Sequence, residues 1–259
     1  MEPSVALPQP KWTRLPIRTR PHRNPLADNE DAHPDCPREF DERIPSMFPN
    51  QAAATKRIEF VDVGCAFGGM LFALAPLFPD TLMLGLEIRP KVVAFAQGKA
   101  VEMRRGAREG PSTFHHYNNV WFEQLNVMKY GSNCFECGQL SKLFFCYPDP
   151  HWKRKNIRRR IISPGLVQEY AYWLRVGGLL YTVSDVLELE QWMVECLDQC
   201  PLFRRLGNEE LLTIAPNHTQ LMDIVTASSE DAARAARKGL PRNFAVHLRV
   251  DVPAPLQQV

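Results

Sequence analysis

The sequence predicts an α/β fold with a mostly parallel sheet and helices on both faces. From residue 58 onward, short apolar segments of strand length alternate with longer segments of helical periodicity. Alternating strands and helices require crossover connections, which lay parallel strands side by side under two layers of helix. The 259 residues, 45% of them apolar and 23% charged, are enough to bury a substantial core.

The strands are identified by apolar runs that end at glycine, proline or polar residues. In chain order they are predicted at Ile58 to Val63, Thr81 to Leu86, Asn119 to Leu125, Ser141 to Tyr147, Leu179 to Val183, Phe203 to Leu206 and Phe244 to Val250. The last of these alternates apolar and polar residues, as a strand with one buried face does.

The helices are identified by longer segments with apolar residues spaced three and four apart. They are predicted from GCAFGGM to Phe78, from Pro90 to Arg105, from Ile162 to Leu174 and from Leu187 to Gln199. Proline is tolerated in the first turn of the second helix. Gly177 and Gly178 end the third, and residues 106–118 are predicted to form a loop.

The first 50 residues contain ten of the 22 prolines, with arginines interspersed. Proline lacks an amide hydrogen and fixes φ, so such a segment cannot hold long helices or strands. We interpret residues 1–50 as an N-terminal extension that is disordered over residues 1–12. Residues 18–28 are predicted to form an ordered arm over the domain, and residues 51–259 a single domain.

Seven cysteines without disulfide-framework spacing fit a reducing compartment. Cys134 and Cys137 form a CxxC pair, but a zinc site needs four ligands and the nearest candidates are His115 and His116. No metal site is therefore predicted. The longest apolar run, Met70 to Phe78, is too short to cross a bilayer, so no membrane partner is predicted either.

A glycine turn and an acid occupy the ends of the first two predicted strands. Gly64 follows the first strand, and Glu87 ends the second, 23 residues later, where a carboxylate can accept hydrogen bonds from a ribose diol. A dinucleotide needs G-x-G-x-x-G, but Ala66 stands at the middle position. S-adenosylmethionine has no phosphate and tolerates Ala66 better; a nicotinamide cofactor or a glycine turn that only serves packing are the alternatives.

The fourth predicted strand ends in an acid between two prolines, Pro148-Asp149-Pro150, followed by a dense group of cations. The prolines stiffen the backbone around Asp149 beside the predicted ligand crevice. The alternative is a turn aspartate that only accepts a hydrogen bond from a nearby amide. His151 and Trp152 can stack on a base, and the basic run at residues 153–160 contains Lys153, Arg154, Lys155, Arg158, Arg159 and Arg160. The net charge is +2, or −4 without these six (2 − 6), so the positive charge is local. The basic run is predicted to bind nucleic-acid phosphates; a solvated face or a localisation signal is the alternative.

Several segments together resemble the tRNA (guanine-N(7)-)-methyltransferases over roughly residues 18 to 250. They are GCAFGG, LGLEIR, the strand end at Asn126, FFCYPDPHWKRK, RIISP and VGGLLYTVSD. The resemblance implies the class I, Rossmann-like fold of S-adenosylmethionine-dependent methyltransferases, with residues 51–259 as the methyltransferase domain. It implies that Asp149 is the active-site acid and that the cofactor is held by Gly64, Glu87, Ile88, Arg89, Asn126, Val127, Cys146, Ser229, Glu230 and Asp231. Ala66, Val127, Ser229 and Asp231 depart conservatively from the family pattern.

The resemblance also implies an activity and partners. The activity is methyl transfer from S-adenosylmethionine to N(7) of guanosine 46 in the variable loop of tRNA. The HRNPLAD segment resembles the eukaryotic branch, which implies a WD-repeat partner subunit and a location in the nucleus, with the cytoplasm as a second location. No DNA partner is implied. A catalytically inactive tRNA-binding protein of the same fold and a nicotinamide-dependent oxidoreductase are the competing hypotheses.

Overall fold

The computed structural model describes residues 17, 23–27, 33–49, 56–109, 117–215, 217–228 and 230–251. The described residues form one seven-stranded sheet with the order β3-β2-β1-β4-β5-β7-β6. The strands are β1 Ile58–Val63, β2 Leu82–Glu87, β3 Val120–Gln124, β4 Leu140–Cys146, β5 Leu174–Ser184, β6 Phe203–Arg205 and β7 Asn243–Arg249. Strands β1 to β5 pair in parallel, whereas β7 runs antiparallel to both β5 and β6. The predicted α/β class with a mostly parallel sheet is confirmed.

Helices cover both faces of this sheet. They are α1 Pro37–Asp41, α2 Ile44–Met47, α3 Gly69–Leu74, α4 Pro90–Glu109, α5 Val127–Tyr130, α6 Pro164–Trp173, α7 Leu187–Asp198, α8 Asn208–Ile214, α9 His218–Ala227 and α10 Glu230–Arg237. Short 3-10 segments follow α5 at Gly131–Asn133 and β4 at Arg154–Arg159. None of the helices in the described ranges is long and apolar enough to span a bilayer.

The core divides into two layers, one on each face of the sheet. One layer contains the buried side chains of α1, α2, α5, α6 and α7. The other contains those of α3 and α4 and the apolar residues of α8 and α9. Adjacent residues of β4 show the division, because Phe144 faces the second layer and Phe145 the first. Period-two alternation along a strand therefore supplies both layers from one continuous apolar run.

The structure differs from the sequence predictions in several places. Helix α4 continues to Glu109, into the loop predicted at residues 106–118, and α6 ends at Trp173, before Gly177 and Gly178. Strand β5 begins at Leu174, five residues earlier than predicted, because the chain bulges through Gly177 and Gly178 while staying paired with β4. Three helices, α8 to α10, occupy residues 208–237, where no element was predicted. Their apolar faces are short or built from alanine, which leaves a weak hydrophobic signal in the sequence.

The N-terminal segment contributes to the core. Phe40, Ile44, Met47 and Phe48 are buried in the same layer as α6 and α7, and the ring of Phe40 packs edge-on against Phe135. These four side chains therefore contribute to that core layer. The division at residue 50 stays a prediction. The disordered leader predicted at residues 1–12 lies outside the described residues.

Candidate active site

One pocket opens at the carboxyl ends of β1, β2 and β4, with a volume of about 230 Å³. The strand order reverses between β1 and β4, and the crevice at such a switch point is the usual ligand position in an open parallel sheet. Its wall includes predicted cofactor residues from several separate chain segments: Gly64, Glu87, Ile88, Arg89, Asn126, Val127 and Cys146. Asp149, His151 and Arg159 line the same pocket.

The glycine turn after β1 leaves the pocket floor open. Gly64 has φ of +79°, and a Cβ built there meets no atom within 4 Å, so a side chain would project into open space. Its amide donates to Leu86 O at 2.8 Å, which ties the turn to the end of β2. Ala66 also has a left-handed backbone, with φ of 47°. Gly68 is required for packing, because a Cβ there would lie 2.3 Å from the ring of Phe122.

Glu87 presents a buried carboxylate at the end of β2, with the residue 4% exposed. Its Oε1 accepts from the backbone amide of Arg89 at 3.0 Å, and its Oε2 accepts from the Arg89 guanidinium at 2.8 Å. This ion pair supplies opposite charge to an acid that burial would otherwise penalise. The carboxylate is therefore fixed in orientation at the edge of the pocket.

Asn126 connects the pocket to the N-terminal arm. Its side-chain amide donates to Pro25 O at 2.6 Å, and the Arg23 guanidinium donates to Ile88 O at 2.9 Å. Both Arg23 and Pro25 line the pocket. Within the described residues 23–27, the arm therefore lies over the edge of the pocket. The remainder of the predicted arm, residues 18–22 and 28, lies outside the described residues.

Asp62, in β1, is a second buried acid close to the pocket. It is 3% exposed, and its Oδ1 has no hydrogen-bond partner in the described structure. Burial, with a smaller contribution from the negative charge of Glu87, raises the pKa of Asp62 to about 8. The carboxyl group is therefore largely protonated at neutral pH. Sequence reasoning missed this residue, although an acid inside an apolar strand is a signal that could have identified it.

The turn after β4 directs Asp149 into the pocket through an unusual backbone. Tyr147 and His151, on either side of Pro148-Asp149-Pro150, have φ of 54° and 47°, a region that non-glycine residues seldom adopt. Tyr147 N donates to Val183 O at 2.7 Å, and its hydroxyl donates to Thr226 O at 3.1 Å. Left-handed residues of this kind persist only where their surroundings hold them, and they are concentrated at functional sites.

Cys146 forms part of the pocket wall just before this turn. Its Sγ lies 3.7 Å from the sulfur of Met70 in α3. Burial, together with the nearby acids Asp62 and Glu190, raises the pKa of the Cys146 thiol well above its ordinary value. The thiol therefore stays neutral and serves as an apolar wall.

Members of the basic run differ in their exposure. Lys153, Arg154, Lys155 and Arg158 are exposed, and Trp152 beside them is 59% exposed. Arg159 is half-buried and lines the pocket, and its Nε is buried without a hydrogen-bond partner in the described structure. The basic run therefore leads from an open surface into the pocket itself.

Arg160 requires a correction to the predicted RNA-binding set. It is 4% exposed, its Nε donates to Pro150 O at 3.0 Å, and its guanidinium lies 4.9 Å from the centre of the Trp192 ring. An arginine held in this way is not accessible to a phosphate. It instead fastens the Pro-Asp-Pro turn to α7.

The remaining predicted residues add little to the described site. Ser229 lies outside the described residues, and the side chains of Glu230 and Asp231 lie outside the described part of α10. Cys134 is buried and Cys137 exposed. His115 and His116 lie outside the described residues. Among the described residues, no group of three or more His, Cys, Asp or Glu is placed to hold a metal ion.

The structure adds pocket residues that sequence reasoning missed. Arg23 and Pro25 come from the arm, and Arg234 comes from α10. Each is distant in the sequence from the glycine turn, and only the tertiary fold brings it to the pocket.

A family model and curated relatives match most of this chain. A family model described as "Putative methyltransferase" matches residues 56–241. A tRNA (guanine-N(7)-)-methyltransferase of Arabidopsis thaliana is 41% identical, with 95% of this chain and 94% of that protein covered. One of Danio rerio is also 41% identical, with 96% and 99% covered. A solved structure titled an antibiotic related methyltransferase covers 86% of this chain and 97% of its own at 13% identity, with a TM-score of 0.48.

Proposed function

Because the chain belongs to the tRNA (guanine-N(7)-)-methyltransferase family, we propose that it transfers a methyl group from S-adenosylmethionine to N(7) of a guanosine in tRNA. The proposed position is guanosine 46 in the variable loop. One observation supports the proposal above the others. A single pocket brings together the Glu87 carboxylate at the end of β2, Asp149 on the Pro-Asp-Pro turn after β4, and Arg159 of the basic run.

The pocket residues fit the proposed methyl donor. The absent Cβ of Gly64 leaves open floor where a side chain would project, so a nucleoside can approach the backbone. Glu87, held from one side by Arg89, is suited to accept hydrogen bonds from a ribose diol. Asn126, Val127 and the neutral thiol of Cys146 would complete the wall around the donor, whose sulfonium group supplies the methyl.

The chemistry of the methyl acceptor, guanine N(7), determines what the residues of the pocket must do. Guanine N(7) has a lone pair and no proton at neutral pH, so no general base is needed to create the nucleophile. Catalysis then depends on alignment, which contributes on the order of 7–11 kcal/mol in well-oriented reactions. The rigid backbone around Asp149, with left-handed residues two positions before and after it, supports an aligning role.

Asp149 is proposed to recognise guanine. Its carboxylate would accept hydrogen bonds from N(1)–H and the 2-amino group, the donor pair that adenine lacks. A site built to hydrogen-bond a substrate group rejects an analogue without it strongly. The same negative charge would stabilise the positive charge that develops on the purine during transfer.

The basic run is proposed to bind tRNA phosphates through its exposed members Lys153, Arg154, Lys155 and Arg158. Trp152, exposed beside them, and His151, at the pocket edge, are suited to stack on bases. Arg159 is proposed to contact a phosphate next to the target nucleotide, because its unpartnered Nε lies at the pocket wall.

Two further proposals rest on the resemblance of the N-terminal segment alone. A WD-repeat protein is proposed as a non-catalytic partner, and the nucleus as the location. Co-purification of the full chain with a WD-repeat partner tests the first. Microscopy of the tagged chain, with and without the basic run neutralised, tests the second.

The experiment that tests the proposed function is methyl transfer to tRNA transcripts that carry guanosine or adenosine at position 46. Transfer to the guanosine transcript alone is expected, with the methyl mapped to N(7). The assay is run with and without a WD-repeat partner. Binding of S-adenosylmethionine and tRNA without transfer under both conditions would instead identify a catalytically inactive protein.

A further inference from the structure

A second group of cations lies beside the pocket, outside the basic run. Arg234, Arg237, Lys238 and Arg242 belong to α10 and the turn that joins it to β7. We refer to these four residues as the second basic segment. All four are exposed. No acidic residue occurs between residues 232 and 242, so the segment is a local concentration of positive charge.

The packing of α10 directs these cations outward. Ala232 and Ala235, three residues apart, are fully buried. Arg234, Arg237 and Lys238 are spaced three and four residues apart and therefore share the exposed side of the helix. Lys238 N bonds to Arg234 O at 3.2 Å, so the helical turn continues through Lys238. The alanines thus hold the helix against the domain while the cations face solvent.

Three of these cations lack protein partners within the described part of the chain. No side-chain hydrogen bond or ion pair there involves Arg237, Lys238 or Arg242. Other surface arginines differ, since Arg204 is paired with Glu210 at 2.6 Å and Arg43 with Glu39 at 3.0 Å. The positive charge of these three residues is therefore available to an anionic partner.

The two basic regions approach the pocket from opposite faces of the sheet. The basic run is fastened to α7 through Arg160 and Trp192, on the face that also holds α6. Helix α10 packs on α9, which packs on α3 on the other face. Each region supplies an arginine to the pocket wall, Arg159 from the basic run and Arg234 from α10.

The turn after α10 ends at the same edge of the sheet as the pocket. Asn243 follows Arg242 directly, and its side chain donates to Ser184 O at the carboxyl end of β5 at 3.3 Å. The pocket is built from the carboxyl ends of neighbouring strands. Arg242 therefore lies along the edge where the substrate nucleotide would enter.

We propose that the second basic segment is an RNA-binding surface that holds the backbone on the far side of the target nucleotide from the basic run. This inference rests on the proposed function for the identity of the RNA. A strand crossing the pocket between the two basic regions has phosphates on both sides of the nucleotide that enters it. Binding on both sides fixes the register of the strand, whereas binding on one side would let it slide.

The test compares two triple variants with equal changes in charge. R237Q/K238Q/R242Q removes three cations that do not line the pocket. The control, K56Q/R57Q/R175Q, removes three cations near the amino ends of β1 and β5, at the opposite edge of the sheet. Each protein is assayed for tRNA affinity across a salt series, for S-adenosylmethionine affinity by calorimetry, and for methyl-transfer kinetics.

The first variant is expected to flatten the plot of log K against log salt by about 0.7–0.9 for each phosphate that the variant no longer neutralises. Its KM for tRNA should rise roughly tenfold or more, with kcat at saturating tRNA and S-adenosylmethionine affinity unchanged. The control should keep the wild-type slope. A variant that keeps the charge, R237K/R242K, should keep it too. A slope as flat in R237K/R242K as in the triple variant would attribute the effect to altered structure and overturn the proposal.

The same measurements separate this inference from the proposed function. An unchanged slope and KM in R237Q/K238Q/R242Q, with active wild-type enzyme, would overturn the RNA-binding surface and leave the function standing. A flattened slope with a wild-type protein that transfers no methyl would support the surface and overturn the function.

Discussion

The end of β2 and the end of β4 form two halves of one pocket by different physical means. At the end of β2, Glu87 is buried, paired with Arg89 and fixed by the register of the sheet. At the end of β4, the acid stands on a turn that needs left-handed backbone at Tyr147 and His151 and a buried arginine behind it. Sheet register positions the first half, whereas tertiary contacts hold the second. We expect changes in the second half to affect transfer and changes in the first to affect cofactor binding.

The largest effect is expected from Asp149→Ala. The rate of methyl transfer should fall at least about 100-fold, because a misaligned acceptor loses the benefit of orientation. S-adenosylmethionine affinity, measured by calorimetry, should stay near the wild-type value. A large drop in cofactor affinity in this variant would contradict the assignment of cofactor binding to the end of β2 and acceptor alignment to the turn after β4.

Glu87→Ala should have the complementary effect. Removing charge-assisted hydrogen bonds worth roughly 1.5–3 kcal/mol each raises the dissociation constant for S-adenosylmethionine about tenfold or more. The rate at saturating cofactor should change much less. Arg89→Ala, which removes the ion pair but keeps the acid, is the matched comparison and should weaken binding less. Equal cofactor affinity in wild type and Glu87→Ala would contradict the assignment.

Asp62 should make stability depend on pH. Its folded pKa of about 8 lies above the ordinary value of 3.8, so the folded state retains a proton that the unfolded state releases. The contribution to stability is full below about pH 4, falls as the pH rises towards 8, and is absent above it. Asp62→Asn should therefore flatten the decline in the denaturation midpoint between about pH 5 and pH 8.

Glu190 provides the matched control for this effect. Burial raises its pKa to about 7, and its Oε1 accepts from Thr182 at 3.0 Å, a hydrogen bond that glutamine can preserve. Glu190→Gln should flatten the decline in the denaturation midpoint only up to about pH 7. The pH profiles of Asp62→Asn and Glu190→Gln should therefore differ above that pH. If Asp62→Asn and the wild type showed the same pH profile, the proposed protonation of Asp62 would be wrong.

The smallest expected effects are those of substitutions in the basic run, where exposed and buried cations should respond differently. Neutralising Lys153, Arg154 and Lys155 should reduce the salt slope of tRNA binding by up to about 0.9 for each phosphate that is no longer neutralised. Arg160→Gln should leave the slope unchanged and instead lower the denaturation midpoint, because it removes the bond to Pro150 O and the packing on Trp192. A reduced slope in Arg160→Gln would restore Arg160 to the RNA-binding set.

Features positioned by the sheet could be predicted from the sequence, whereas features held by tertiary contacts could not. Gly64 and Glu87 could be predicted because they lie at the carboxyl ends of apolar strands, and adjacent parallel strands bring those ends to one edge. The same reasoning placed Asp149 at that edge. Strand order and local pattern were sufficient for these residues.

The remaining features depend on tertiary contacts that a sequence pattern does not reveal. Arg160 is as basic as its neighbours in the sequence. Its packing against Trp192 shows that it is a buried structural residue and not a surface cation. Arg23 and Arg234 reach the pocket from the arm and from α10, and the buried residues in the described part of α10 are alanines. Asp62 was visible as an acid in an apolar strand, but its missing partner becomes evident only in the folded structure.

The central claim is that Asp149 recognises the N(1)–H and 2-amino groups of guanine. The most direct measurement is kcat/KM for tRNA containing guanosine or inosine at the target position, for wild type and Asp149→Ala. Inosine keeps N(1)–H and lacks the 2-amino group. The wild type should prefer guanosine by about 10-fold or more, since a hydrogen bond to a charged group is worth roughly 1.5–3 kcal/mol, and Asp149→Ala should lose most of that preference. The same preference for guanosine in both proteins would contradict the claim.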